Sequence, residues 1–111
     1  MKKKVDERGV RIPGFRFGAA ACGIKKSGVA DLGMIVADQP SVAAAAFTRN
    51  SFRAAPVDVA ADKVRSGRLQ ALVVNSGNAN ACTGRAGLAA SRRTCAIAAG
   101  FLGIEIGRAH V

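Results

Sequence analysis

The order of apolar patterns in this 111-residue chain predicts an α/β fold. The form expected is a partial α/β sandwich, a mixed sheet with flanking helices. Three observations carry that reading. Residues 15–22 and 32–37 have the alternation or the short apolar run of strands. Residues 57–65 and 85–102 place apolar residues at helical spacing. A further strand-like run, residues 69–74, lies between the two helical segments, so strands and helices interleave.

Each element has its own signal. Met1 to Pro13 is charged and without period, so residues 1–11 are expected to be a flexible basic lead-in. Phe15, Phe17, Ala19 and Ala21 alternate with Arg16, Gly18, Ala20 and Cys22 and predict a strand. Lys25-Lys26-Ser27-Gly28 is a polar turn in which Gly can take positive φ. Leu32 to Ala37, bounded by Asp31 and Asp38, predicts a buried strand that closes a hairpin with the first. Gln39-Pro40 is expected to break it. Val42 to Thr48 is short and follows that Pro, which favours a third strand over a helix. Pro56 suits a first helical turn, and Val57, Ala60, Ala61 and Val64 share a helical stripe through Arg65. Ser66-Gly67 supplies a left-handed end. Leu69 to Val74 predicts another strand. Leu88, Cys95, Ala99 and Leu102 form the stripe of a helix from Arg85, with Arg85, Arg92 and Arg93 off it and Gly103 closing it.

Composition bounds the function. Half of the residues are hydrophobic, too many for a disordered chain, and the length allows one domain at most. The Ala bias limits the core, because each Ala buries little area at roughly 25 cal/mol per Å². Three cysteines are odd in number and too few for a disulfide scaffold, which points to a reducing compartment. No segment approaches the ~20 apolar residues of a membrane span. Met1 to Lys4 is followed by Asp6, Glu7, Arg8 and Arg11 instead of an apolar stretch, so no secretory signal is read. A cytoplasmic location is expected, with no membrane partner. Lys plus Arg exceed Asp plus Glu by 17 to 7, a net charge of +10. Beyond Lys2-Lys3-Lys4 the basic residues are scattered, and Phe15, Phe17, Phe47, Phe52 and Phe101 form no stacking platform. Nucleic acid is disfavoured as a partner, though a small basic nucleic-acid-binding module stays as an alternative.

The most distinctive segment is Asn75-Ser76-Gly77-Asn78-Ala79-Asn80-Ala81-Cys82-Thr83-Gly84. It leaves a strand and enters a helix. Asn and Gly tolerate left-handed backbone, and Thr83 is a natural N-cap. Free amides at such a helix start favour developing negative charge. The pattern matches neither glycine-rich nucleotide motif. A tight connection whose amides satisfy one another is the alternative reading. Cys82 lies beside the helix start, but the only His is His110, and Cys22, Cys82 and Cys95 have no metal-ligand spacing. All three are read as small apolar fillers. Asp31, Asp38, Asp58 and Asp62 show no paired-carboxylate logic, and Asp62 is expected to face solvent. The residues by themselves name no catalytic group, no cofactor site and no metal site.

Three stretches together carry a resemblance: GFRFGAAACGIKKSGVADLGMIVAD, AAAAFTRNSFRAAPV and ALVVNSGNANACTG with its following helix. In this order and spacing they closely resemble the start of the ornithine acetyltransferase family, the bifunctional glutamate N-acetyltransferases of arginine biosynthesis. The resemblance covers Ile12 to about Ile104, so residues 12–104 are expected to be the N-terminal part of that domain and of its sandwich fold. It implies a precursor that cleaves itself into alpha and beta chains. The new N-terminal Thr of the beta chain takes the acetyl group of N-acetylornithine and passes it to glutamate, with acetyl-CoA as another donor in some members. It also implies a hetero-oligomer of alpha and beta chains. In the family a Thr-Gly oxyanion pair follows the helix that ends here near Leu102, and the nucleophile lies further on. Thr83-Gly84 belongs to the NSGNANACTG motif and is not that pair. No catalytic residue is carried over. Asn75, Ser76, Gly77, Asn78, Asn80, Thr83 and Gly84 are expected to support the active-site region. A fragment of a related self-processing N-terminal-nucleophile hydrolase is a further alternative. Residues 105–111, EIGRAHV, depart from the family and read like a translated sequencing adapter, so they are expected to be a non-native tail.

Overall fold

The computed structural model describes Gly9, residues 11–26 and residues 28–110. Apart from Gly9 and Arg11, the expected lead-in falls outside the described residues, as do Ser27 of the turn and Val111. Strands β1 (Phe15–Ala20), β2 (Leu32–Val42), β3 (Arg68–Asn75) and β4 (Ala109–His110) form one sheet in the order β1-β2-β3-β4. Helix α1 (Ala55–Val64) lies between β2 and β3, and helix α2 (Gly84–Leu102) follows β3. A 3₁₀ turn (Ile106–Arg108) leads into β4. The first two pairings are antiparallel and β3 with β4 is parallel, so the sheet is mixed as expected.

The hairpin of β1 and β2 forms as the alternation predicts, with Phe17 opposite Ile35 and Phe15 opposite Ala37. Asp38 N–H donates to Gly14 O at 2.8 Å, and Asp31 N–H donates to Ala20 O at 3.0 Å, closing both ends of the pair. Gly23 and Gly28 take φ of +80° and +66° in the turn, the left-handed region open to glycine.

Two expectations between residues 39 and 48 are corrected. Gln39-Pro40 does not end the strand. β2 continues through Pro40 to Val42, because its pairing slips: from Val36 to Ser41 it covers five positions while β3 covers two, from Ala71 to Leu69. Extra residues in one strand leave Pro40 without a ladder amide to supply. The separate third strand at Val42 to Thr48 is absent. Ala43 N–H reaches Gly67 O at 2.9 Å, and residues 43–54 then run outside the sheet, held locally where Asn50 N–H donates to Thr48 Oγ1 at 3.2 Å and Phe52 N–H to Asn50 Oδ1 at 2.9 Å.

Both helices cover one face of the sheet. Val36, Ala71, Val73 and Ala109 of the sheet meet Val59 of α1 and Cys95, Ala98 and Ala99 of α2, with Leu32, Met34, Leu88, Leu102 and Ile104 at the edges. The predicted α2 stripe therefore faces inward, while Arg85, Arg92 and Arg93 are exposed. In α1 the buried line is Ala55 and Val59; the expected Val57, Ala60, Ala61 and Val64 are only half-buried beside it. Pro56 occupies the first turn, where its missing N–H costs nothing. Gly103 ends α2 at φ +67°, with Ile104 N–H returning to Ala99 O at 3.0 Å. The core is small-residue throughout; Cys95 is its largest fully buried side chain among the described residues.

Residues 105–110, expected to be a tail, sit against this core. Ala109 is fully buried, and Lys63 Nζ donates to Ile106 O at 2.8 Å. The opposite sheet face carries Phe15, Phe17, Leu72 and Val74, all exposed.

Candidate functional site

The loop Asn75–Gly84 runs from the end of β3 to the start of α2, as the motif predicts. Asn75 is the last strand residue, and its Nδ2 donates to Asn78 O at 2.7 Å. Asn78 Oδ1 accepts from Asn80 N–H at 3.1 Å, so the first turn of the loop is held by side-chain amides. Gly77 takes φ +112°; a Cβ there would lie 3.1 Å from both Ile24 Cγ2 and Lys25 Cγ. The loop thus presses on the β1–β2 turn at that point.

Asn80 is the hub. Its Nδ2 donates to Gly87 O at 2.9 Å and to Ser91 Oγ at 3.0 Å, and its Oδ1 accepts from Thr83 Oγ1 at 2.6 Å. Its backbone O accepts from Ala55 N–H at 3.1 Å, the first residue of α1. One residue therefore ties the loop to both helices. It does so at φ +48°, a conformation Asn tolerates because its short polar side chain bonds locally.

Thr83 occupies the N-cap position but makes no side-chain cap bond, which corrects the expectation. Its hydroxyl is turned back to Asn80 instead. Gly84 opens α2 at φ +61°. Ser76, Gly77, Asn78, Thr83 and Gly84 are exposed, whereas Asn75 and Asn80 are half-buried. The seven predicted residues are thus gathered in one loop, with Asn75, Asn78, Asn80 and Thr83 directly bonded to one another.

Three contributors were not read from the sequence. Asp31 is buried, and its carboxylate accepts from Cys22 N–H at 2.6 Å and Lys25 N–H at 2.9 Å. Those two amides, Cys22 first, hold its pKa below the ordinary carboxylate value. Its backbone O accepts from Ser76 N–H at 2.8 Å, so one residue joins the hairpin turn to the loop. Gly87 is the second. A Cβ on it would land on Thr83 Oγ1, 2.5 Å from Thr83 Cβ and 2.6 Å from Asn80 Oδ1. Ser91, the third, is a buried hydroxyl one turn further along α2. Gly87 and Ser91, four apart and both small, were a readable sign of close approach.

The cysteine reading holds for one residue of three. Cys95 is buried, and desolvation raises its pKa. Cys22 and Cys82 are exposed, and Cys82 has φ +57° in the loop. They fill no core, because both lie in the exposed connections that follow β1 and β3. Asp62 faces solvent as expected and pairs with Arg65 at 3.7 Å. Among the described residues no group of three His, Cys, Asp or Glu is placed to hold a metal ion. No helix among them is long and apolar enough to cross a membrane.

A cavity of about 260 Å³ lies behind the loop, lined by Ile24, Leu32, Val73, Asn75, Asn80 and Ser91 among others.

The chain and its fold are similar to known proteins. The ArgJ family model matches residues 16–111. The arginine biosynthesis bifunctional protein ArgJ of Syntrophotalea carbinolica is 48% identical over 96 residues, 86% of this chain and 24% of the relative. That of Mycobacterium bovis is 45% identical over 109 residues, 94% of this chain and 27% of the relative. This chain thus spans about a quarter of the length of the curated relatives it matches. The crystal structure of ArgJ from Bacillus halodurans superposes with a TM-score of 0.86 at 38% identity, over 89% of this chain and 52% of that one. Ornithine acetyltransferase from Mycobacterium tuberculosis, in complex with ornithine, gives 0.78 at 42% identity over 89% of this chain and 54% of that one. The α/β fold is shared, and with the family model covering the loop, its flanking strands and both helices, the chain belongs to the ArgJ family.

Proposed function

We propose that these 111 residues are the N-terminal part of the alpha chain of an acetyltransferase that moves the acetyl group of N-acetylornithine to glutamate. The observation that carries the reading is family membership across the whole site loop, at 38% identity and a TM-score of 0.86 to an ArgJ crystal structure. The ornithine bound in a relative of 42% identity supports the substrate class.

In this reading a threonine freed by self-cleavage, outside these residues, attacks the acetyl carbonyl of N-acetylornithine. The C–N bond breaks, the threonine hydroxyl proton passes to the leaving amine, and ornithine departs. The glutamate amine then attacks the acetyl ester, forming N-acetylglutamate and restoring the hydroxyl. The role of this chain is architectural. Asn80, Asp31 and Gly87 fix the loop against α1, α2 and the hairpin turn, on the side of the sheet where α2 begins. The partner is the beta chain, in an alpha–beta hetero-oligomer, and the setting is the cytoplasm.

The test is acetyl transfer from N-acetylornithine to glutamate. The purified chain alone should form no N-acetylglutamate. Coexpression with the remaining part of the Bacillus halodurans relative should restore turnover. Turnover by the chain alone would overturn the assignment of the nucleophile to the missing part.

A further inference from the structure

We infer that the cleft between α1 and α2 is a binding site for a phosphate group, free or carried as a monoester. Acetyl transfer assigns nothing to this cleft, which shares no residue with the Asn75–Gly84 loop or with the cavity behind it. Its volume is about 340 Å³, and Val59 and Leu88 form its apolar part. Three arginines line it from three directions. Arg53 comes from the segment before α1, Arg65 from just past the end of α1, and Arg92 from α2. Asp58 and Asp62 of α1 are the acids on its wall. Lys63 borders the adjoining hollow with Asp62 and Arg92, and there its Nζ donates to Ile106 O at 2.8 Å.

Both carboxylates are already matched. Asp58 Oδ1 lies 3.3 Å from Arg53 Nε, and Asp62 Oδ1 lies 3.7 Å from Arg65 Nη2. Arg92 forms no ion pair among the described residues, so the wall carries one more guanidinium than carboxylates. Arg53 is the fixed member of the three. Its guanidinium carbon stands 5.8 Å from the centroid of the Phe47 ring. Its Nε is buried and makes no hydrogen bond among the described residues, because Asp58 is near enough to attract it but is not aligned as an acceptor. A buried donor left unmet costs free energy that an incoming oxygen recovers.

The wall chemistry selects the ligand. Guanidinium groups hold oxyanions through paired N–H donors in a fixed fork. A carboxylate offers its oxygens in one plane and suits a single fork. A phosphate group offers three strong acceptor oxygens in a tetrahedral arrangement, which meets arginines arriving from three sides. A cation would face the surplus guanidinium, and an apolar guest would strip water from charged groups without replacing it. Asp58 and Asp62 oppose an anion, which keeps the binding weak and makes removal of one of them informative.

The test is titration of the ¹⁵N-labelled chain with inorganic phosphate at constant ionic strength, read on the Arg53 Nε–H and on backbone amides. The expected result is a saturable shift confined to Arg53, to Asp58–Asp62 and to Leu88–Arg92. Glycerol phosphate separates the sources: binding as tight as that of phosphate assigns a monoester, and weaker binding assigns the free ion. Acetate should bind about tenfold more weakly than phosphate, having fewer oxygens for the forks. Arg92→Gln should weaken phosphate binding about tenfold, the loss of one charge-assisted contact. Asp62→Asn should strengthen it about threefold, because a repelling charge goes and Arg65 is released. Arg85→Gln removes the same charge from the same helix outside the cleft and should change nothing. All three positions are exposed, so the variants should keep the fold, checked by far-UV circular dichroism. Equal losses in Arg85→Gln and Arg92→Gln would overturn the proposal, since the net charge of +10 would then account for the binding. So would linear shifts spread over the basic surface, acetate binding as tightly as phosphate, or weaker binding in Asp62→Asn.

Discussion

Asp31 is the residue on which two parts of the fold converge. Its carboxylate holds the amides of Cys22 and Lys25, and its carbonyl holds Ser76 of the loop. The folded-state pKa is depressed, so this contribution is fully present above the ordinary carboxylate pKa of about 4. It is lost as pH falls through the lower folded-state value, because the unfolded chain binds the proton first. Asp31→Asn should therefore lower the urea midpoint at pH 7, and the difference from the unaltered chain should shrink steadily below about pH 4. An equal difference at pH 7 and pH 3 would contradict this role. The sequence displayed an Asp between a Gly-containing turn and an apolar run, which reads equally as a strand boundary. Its partners are backbone amides six and nine residues back, and nothing in composition marks which amides a turn leaves free. Asn80 was legible as a loop residue tolerant of positive φ, but its bonds to Gly87 and Ser91 depend on how α2 is oriented. Thr83 went wrong for a related reason: a hydroxyl suited to capping had a nearer acceptor in Asn80.

Helix α2 shows how an element's partners override its propensity. In an ordinary helix Gly→Ala is favourable by about 1 kcal/mol. At Gly87 the sign reverses, because the added methyl meets Thr83 and the Asn80 amide. Gly87→Ala should destabilise the chain by roughly 1–3 kcal/mol, the range for overpacking. Adding Thr83→Gly removes two of the obstructing atoms and should recover part of that loss, measured as paired thermal or urea unfolding. A simple gain in stability from Gly87→Ala would show that the loop does not press on the helix. The helices themselves were readable from period, Pro56 and Gly103, since those signals are local. β2 was not, since a Pro inside a strand is tolerated only when the neighbouring strand slips, and slippage is a property of the pair.

At the scale of the molecule, one sheet face is covered by two helices and the other carries Phe15, Phe17, Leu72 and Val74 in the open. The alternation of β1 marked a strand but not which face the helices would cover, whereas the Ala bias announced a thin core. A fluorescent apolar dye should bind this chain in its folded state, and Phe17→Lys with Leu72→Lys should remove most of the signal while far-UV circular dichroism stays unchanged. A signal that survives both substitutions would place the dye elsewhere. The fold class was legible because it rests on periodic patterns, and the strand-to-helix loop because its motif has few alternatives. The parallel strand β4 was not: two residues carry no period, and their pairing with Ala71 and Leu72 exists only once α2 has crossed back over the sheet.

The slipped pairing in β2 has a consequence in time as well as in space. Leu32–Val36 is zipped to Ala71–Asn75 in continuous register, whereas Ser41 and Val42 grip Leu69 and Arg68 by a short separate clasp. Two blocks joined through an irregular stretch need not open together, and a short block bordered by solvent is the cheaper one to release. Amide protons at the Ser41–Val42 end should exchange with deuterium by local fraying, while those near Met34 and Val73 wait for global unfolding. The same strand then serves as both the most durable and one of the most yielding parts of the sheet, with the boundary set at the residues flanking Pro40.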